Sequence, residues 1–246
     1  MDNRKGQGIF LGVVGVATLV VAIIGATFAY FSAAASTNEG DIGGQTLGSS
    51  GGVLSLTVEK VWTTPQGTAS SLDLVPSNVD FTTSGMLQGA LDAKCSATSG
   101  VNSDTTVYTG CHVYRITVTS TSDIAGVDLN LESLTSDNTH SNDASWKYGF
   151  FTATETVQGT LTGANIISGK TGTMDVTTQT AIVEDQALDT NNNHTFTRYL
   201  IVYVANAEQN QNNNDENDVT GSYSGTISAA AAGGSTVKAS FTAAQG

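Results

Sequence analysis

The chain has 246 residues, of which 39% are hydrophobic and 13% charged, and its 22 acidic and nine basic residues give a net charge of −13. This length suits one sandwich-sized domain or two small ones. So acidic a chain, without a basic patch, repels a phosphate backbone, which argues against nucleic-acid binding.

The first element in chain order is an apolar stretch over residues 9–31, preceded by Arg4 and Lys5. As a helix, these 23 residues would reach about 34 Å, enough to cross the hydrocarbon core of a bilayer. The basic flank is expected to stay in the cytoplasm, with the rest of the chain outside. Two alternatives stay open: a signal peptide cut after the small residues Thr27 and Ala29, or a permanent membrane anchor.

The end of this stretch, Gly25-Ala-Thr-Phe-Ala-Tyr-Phe-Ser32, resembles the export signal of the TasA/camelysin family of biofilm-fibre proteins. Later stretches are similar to the first and late strands of that family: residues 74–76, 113–122 and 221–228. The resemblance implies that a dedicated signal peptidase cuts after Ala29, so that the mature protein begins at Tyr30. It also implies that mature copies assemble into an extracellular homopolymer.

A second resemblance concerns Lys5-Gly6-Gln7-Gly-Ile-Phe10, which is similar to the signal of archaeal pilins and archaellins. It implies a cut after Gly6 and a retained apolar helix that builds a filament core. Against it, Leu11 occupies the fifth mature position, where bacterial pilins carry a glutamate. The apolar stretch also ends early for a long pilin helix, since three glycines follow it at positions 40, 43 and 44.

Residues 30–52 are predicted to form a Gly/Ser-rich segment between the export region, residues 1–29, and the folded domain, residues 53–246. By the resemblance to TasA-type fibres, the part up to Leu47 would leave its own sheet and add as a strand to the next subunit. Its candidate anchors in that subunit are Tyr30, Phe31, Ile42 and Leu47. The alternative is a tether between membrane and domain.

Alternation of apolar and polar residues with period two dominates residues 53–246, and it predicts an antiparallel all-β sandwich of jelly-roll or immunoglobulin-like type. Phe196–Val204 is apolar on both faces and is therefore predicted to be a central strand. Only Met86–Lys94 has a helical pattern. The other predicted strands lie around residues 54–58, 114–118, 127–131, 149–155, 180–184, 223–227 and 237–241.

The two cysteines of the chain, Cys95 and Cys111, are predicted to form a disulfide, because one cysteine pair in an exported chain usually does. A zinc site would need more ligands. The sequence contains no H-E-x-x-H, P-loop or dinucleotide motif. We therefore predict no catalytic, cofactor-binding or metal site, and we do not expect an enzyme.

Two groups of residues, one polar and one aromatic, could bind ligands, but a structural role explains each of them better. The Asn/Gln-rich loop over residues 206–218 offers oxygen atoms to calcium, yet its spacing does not match an EF-hand, so a solvated hairpin loop is favoured. Trp62, Trp146 and Tyr148 could form a carbohydrate platform, but aromatic residues of a sandwich are more often part of its core.

These patterns predict an extracellular, cell-surface structural subunit of a fibre or biofilm matrix that polymerises head to tail by strand donation. Its expected partners are further copies of itself, a signal peptidase during export, and the membrane through the N-terminal helix before cleavage. The alternatives are a membrane-anchored adhesin or binding domain whose helix is never cut, and a pilin-like subunit that retains the helix. A secreted hydrolase is third, since no motif supports it.

Overall fold

Antiparallel strands make up most of the computed structural model, which describes residues 45–47, 53–61, 72–74, 76–77, 81–83, 85–95, 98–99, 107–137, 145–157, 160–205, 222–232, 234 and 236–243. Within these ranges the chain forms two five-stranded sheets and one small three-stranded sheet. The predicted N-terminal helix, the cleavage residues Ala29 and Tyr30, and the loop over residues 206–218 lie outside the described residues.

The described strands are, in chain order, β1 (Gln45–Leu47), β2 (Leu54–Val61), β3 (Leu72–Leu74), β4 (Thr98–Ser99), β5 (Val107–Thr109), β6 (His112–Ser120), β7 (Ile124–Asp137), β8 (Trp146–Val157), β9 (Thr160–Thr173), β10 (Thr180–Leu188), β11 (Thr195–Val204), β12 (Ser222–Ala231) and β13 (Thr236–Ala243). The helix α1 (Leu87–Lys94) precedes β4, and a 3-10 helix, Thr190–Asn192, precedes β11. The predicted helix over Met86–Lys94 is thus confirmed.

The two large sheets pack face to face, which confirms the predicted all-β sandwich. Sheet A has the strand order β1-β13-β12-β7-β10, and sheet B has the order β2-β6-β11-β8-β9. Neighbouring strands in both sheets are antiparallel. Apolar residues at every second position face the space between the sheets and fill it. Buried members of this main core include Leu56, Ile116, Leu129, Phe150 and Ile227.

A second apolar layer covers part of the outer face of sheet B, beneath α1. Its buried members include Phe81, Leu87, Leu91, Val113 and Ile201. Because both faces of the sheet are covered here, β11 is buried without interruption from Tyr199 to Val204. β11 is also the middle strand of sheet B, so the prediction of a central strand over Phe196–Val204 is confirmed.

A glycine in the middle of β12 has a packing reason. A Cβ atom on Gly225 would lie 2.4 Å from Cζ of Phe241, the core residue directly opposite it on β13. The phenyl ring therefore rests against the backbone of β12, which any larger side chain at this position would prevent.

The start of the sheet departs from the sequence prediction. Gln45–Leu47 forms β1 and pairs antiparallel with β13 of its own domain. The prediction that the segment up to Leu47 stays out of its own sheet is therefore wrong for these three residues. The physical reason is that β13 would otherwise leave a row of unpaired backbone N–H and C=O groups at the edge of sheet A.

The described helices are short. None of them is long and apolar enough to cross a bilayer. The predicted membrane helix, residues 9–31, belongs to the part of the chain that the structure does not describe.

Candidate functional site

The edge of sheet A at β13 is regular along the whole strand. Eight successive residues of β13 pair with β12 without a register shift, from Thr236 to Ala243. Their side chains alternate strictly between exposed and buried. On its other side, the described residues that pair with β13 are the three of β1, which lie opposite Lys238, Ala239 and Ser240. At its other positions this edge has no strand partner among the described residues, and an unpaired edge can accept a further strand.

The register of β1 shows which residue of β13 lies opposite the predicted anchor Leu47. Thr46 pairs with the buried Ala239, whereas Leu47 pairs with the exposed Lys238. Leu47 thus lies opposite an exposed position of β13 and not opposite a core position. The other three predicted anchors, Tyr30, Phe31 and Ile42, lie outside the described residues.

The opposite edges of the sandwich, β9 and β10, are irregular. The pairing of β9 with β8 shifts register three times, and so does the pairing of β10 with β7. Backbone φ angles are positive at Gly163 and Gly169 in β9 and at Asp185 in β10. Bulges of this kind twist an edge away from the flat geometry that a partner strand requires.

The side chain of Gln88 closes part of the β9 edge. Its Nε2 atom donates a hydrogen bond to the backbone oxygen of Leu161 at 3.0 Å, and its Oε1 atom accepts one from the backbone nitrogen of Ala164 at 3.1 Å. The amide group of Gln88 therefore pairs with β9 as a neighbouring strand would. Gln88 lies on α1, so the helix that covers sheet B also protects its edge.

The outer face of sheet B is covered by α1 over one half and open over the other. Two rows of hydroxyl residues cross strands β2, β6 and β11 on the open half. Thr57, Thr117 and Thr197 form one row, and Ser55, Thr119 and Thr195 form the next. A shallow groove of about 540 Å³ lies here, lined by the first row together with Glu59, Arg115, Ala153, Glu155 and Tyr199. We call it the sheet B groove.

Three strands bring their charged residues together in this groove. Arg115 on β6 forms ion pairs with Glu59 on β2 and, at 2.8 Å from Nη1 to Oε2, with Glu155 on β8. The Tyr199 hydroxyl donates to the same Glu155 oxygen at 3.3 Å. The hydrogen bond to Glu59 raises the pKa of the Arg115 guanidinium, against the opposing effect of burial. Burial, assisted by Glu155, raises the pKa of Tyr199 to about 12.

A buried polar cluster joins the two sheets inside the main core. The Tyr223 hydroxyl on β12 lies 2.6 Å from Nδ1 of His112 and 2.5 Å from the Tyr114 hydroxyl, both on β6. Burial raises the pKa of the Tyr114 and Tyr223 hydroxyls well above the usual value. Trp146 packs 5.7 Å from the Tyr223 ring between centroids. The cluster is enclosed, so it holds the sheets in register and offers no access to a ligand.

The remaining predicted residues fall into three groups. Cys95 and Cys111 are buried and joined by a disulfide between the end of α1 and the start of β6, consistent with the predicted pairing. Trp146 and Tyr148 belong to the main core, as expected, while Trp62 lies outside the described residues. Within the described ranges, no group of three or more His, Cys, Asp or Glu residues is placed to hold a metal ion.

Sequence reasoning missed the sheet B groove. The available signal was Arg115 itself, one of only nine basic residues, in the middle of a threonine-rich strand. Comparison with known proteins adds no further site, because no family model, curated protein or solved structure matches this chain.

Proposed function

We propose that this protein is a structural subunit of an extracellular surface fibre or biofilm matrix, and that it polymerises head to tail by strand donation. The observation that carries the proposal is the edge at β13, which is regular over eight residues and, within the described part of the chain, is paired on its outer side by the three residues of β1. A strand from a neighbouring copy could pair with the rest of this edge or replace β1 along it.

The contrast between the edges supports a single direction of growth. β9 and β10 are bulged, and Gln88 blocks part of β9. β13 is therefore favoured as the acceptor over β9 and β10. Donation from the N-terminal segment of one copy to β13 of the next is a heterologous contact, which propagates without closing. The resemblance of residues 25–32 to a TasA-type export signal supports export before assembly.

The finer fold assignment, jelly-roll or immunoglobulin-like, belongs to the same proposal. Strands β6, β7 and β8 alternate between the two sheets along the chain, and so do strands β9, β10, β11 and β12. Repeated crossing between sheets is typical of a jelly roll, which we therefore favour. A membrane-anchored binding domain is the second candidate, and the sheet B groove is the observation that favours it.

Removal of the N-terminal segment tests strand donation. We expect a chain that begins at residue 30 to build fibres visible by electron microscopy, whereas a chain that begins at residue 48 stays monomeric because it lacks both the donor segment and β1. A synthetic peptide of residues 30–47, added in excess to the longer chain, should stop growth by occupying the acceptor edge. Circular dichroism and urea unfolding check that both chains fold. Equal fibre formation by the two chains would rule out donation by this segment.

A further inference from the structure

The sheet B groove presents hydroxyl groups on a regular grid. Thr57, Thr117 and Thr197 pair in register across three adjacent strands, and a second row lies two residues further along each strand. Neighbouring hydroxyls in a row are thus about 4.8 Å apart and the rows about 6.6 Å apart, from the standard dimensions of a sheet. All six side chains are partly exposed. Such a grid offers hydrogen-bond donors and acceptors beside the methyl groups of the threonines.

The charged residues at one end of the groove are preorganised by their contacts with one another. Glu155 has only 13% of its side chain exposed and is bound by both Arg115 and Tyr199, while Glu59 holds the guanidinium from the other side. At neutral pH the Arg115 guanidinium stays charged and the Tyr199 hydroxyl stays neutral, since the pKa values of both groups are raised. A ligand would find planar donors and acceptors that need little rearrangement, which favours binding.

The charge of the groove selects among ligand classes. Two carboxylates and one guanidinium leave a net charge of −1, on a chain whose net charge is −13. Anionic ligands are therefore repelled. A cation would have to compete with Arg115 for both carboxylates. An apolar ligand or a peptide helix would meet hydroxyl and charged groups where it needs apolar contacts.

From this lining we infer that the sheet B groove binds a neutral carbohydrate chain lying across strands β2, β6 and β11. Vicinal hydroxyl groups of a sugar both donate and accept hydrogen bonds, so they match threonine hydroxyls on one side and the Glu59–Arg115–Glu155 group on the other. The volume of about 540 Å³ lies within the usual range of ligand sites. This site is independent of the fibre edge at β13, because it lies on the face of the other sheet.

The test uses the purified full chain and a matched pair of variants. Thr117→Val removes a hydroxyl at the centre of the groove and keeps the branched shape, whereas Thr135→Val makes the same change on a strand of sheet A with similar exposure. The probes are oligomers of glucose and of N-acetylglucosamine, with an oligomer of a uronic acid as the anionic comparison. Binding is measured by isothermal titration calorimetry and by mobility in native gels that contain the matching polysaccharide.

We expect saturable binding of at least one neutral oligomer and none of the uronic acid oligomer. Thr117→Val should weaken that binding about fivefold, which corresponds to one hydrogen bond, while Thr135→Val leaves it unchanged. A double variant, Thr117→Val with Thr197→Val, should weaken it about 25-fold, the product of two such losses. Absence of binding to every neutral probe, preference for the uronic acid, or equal effects of Thr117→Val and Thr135→Val would each overturn the inference.

Discussion

The Tyr223 hydroxyl lies between His112 and Tyr114, and it illustrates how single residues stabilise this sandwich. A buried hydroxyl that loses a hydrogen-bond partner costs about 1–3 kcal/mol. Here the three residues connect one strand of each sheet within an otherwise apolar core. The cluster therefore contributes to the pairing of the two sheets as well as to stability.

We predict that Tyr114→Phe lowers the free energy of unfolding by about 1–2 kcal/mol at neutral pH, because the Tyr223 hydroxyl loses one of its partners. Urea unfolding monitored by tryptophan fluorescence measures this loss. Tyr148→Phe, at a core tyrosine outside the cluster, is the control and should cost less. Equal losses in the two variants would show that the Tyr114–Tyr223 contact contributes nothing specific.

The same substitution should change the response to alkali. Burial raises the folded-state pKa of both tyrosines above the unfolded value of 10.0. Their contribution to stability is therefore complete below about pH 10 and is lost as the pH rises further, by about 1.4 kcal/mol per pH unit for each tyrosine. Tyr114→Phe removes one of these two groups, so stability should fall less steeply above pH 10 than in the unchanged chain.

At the residue scale, the sequence shows which residues are present but not which side chains contact one another in the fold. Arg115, Glu59 and Glu155 lie on three different strands. They meet because β6 pairs in register with β2 on one side and with β11 on the other, and β11 in turn pairs with β8. His112 and Tyr223 are 111 positions apart. Side-chain pairs of this kind depend on pairing that a single sequence does not specify, so the groove and the buried cluster could not be predicted.

At the level of elements, strands with regular alternation were predictable and irregular ones were not. β2, β6 and β13 alternate over most of their length, β11 is buried on both faces, and all four agree with the prediction. β9 was missed because its three register shifts and its glycines at 163 and 169 break the period of two. β1 was predicted as a strand of the next subunit and not of its own sheet, because its three residues lie in a Gly/Ser-rich segment and their pairing with the distant β13 leaves no local signal.

The Gln88 contact gives a prediction at this scale. Gln88→Ala should expose the edge of β9 near Leu161 and Ala164 and promote edge-to-edge association of folded copies, since two backbone groups lose their partner. Size-exclusion chromatography with light scattering would detect dimers at concentrations where the unchanged chain is monomeric. Gln179→Ala is the matched control, because Gln179 bonds to the Glu132 side chain and not to a strand edge. Identical elution of the two variants would contradict the protective role of Gln88.

For the whole molecule, the net charge of −13 should control the rate of assembly. Copies of so acidic a chain repel one another, and the range of this repulsion falls from about 30 Å at 0.01 M salt to about 8 Å at 0.15 M. We predict that fibre growth by the chain beginning at residue 30 is faster at the higher salt concentration, as measured by light scattering. The chain beginning at residue 48 should show no such increase, which separates assembly from precipitation. Slower growth at higher salt would indicate that attraction between charges drives the contact.

The two-sided burial of β11 has a consequence for the resistance of the folded chain to proteases. The backbone amides from Tyr199 to Val204 lie between the main core and the layer under α1. Water and proteases reach such a strand only after both layers separate, which amounts to unfolding of the whole domain. Because Cys95–Cys111 ties α1 to β6, the neighbour of β11, the covering layer cannot drift away on its own. Global opening, and not local fraying, therefore limits how long this strand resists digestion.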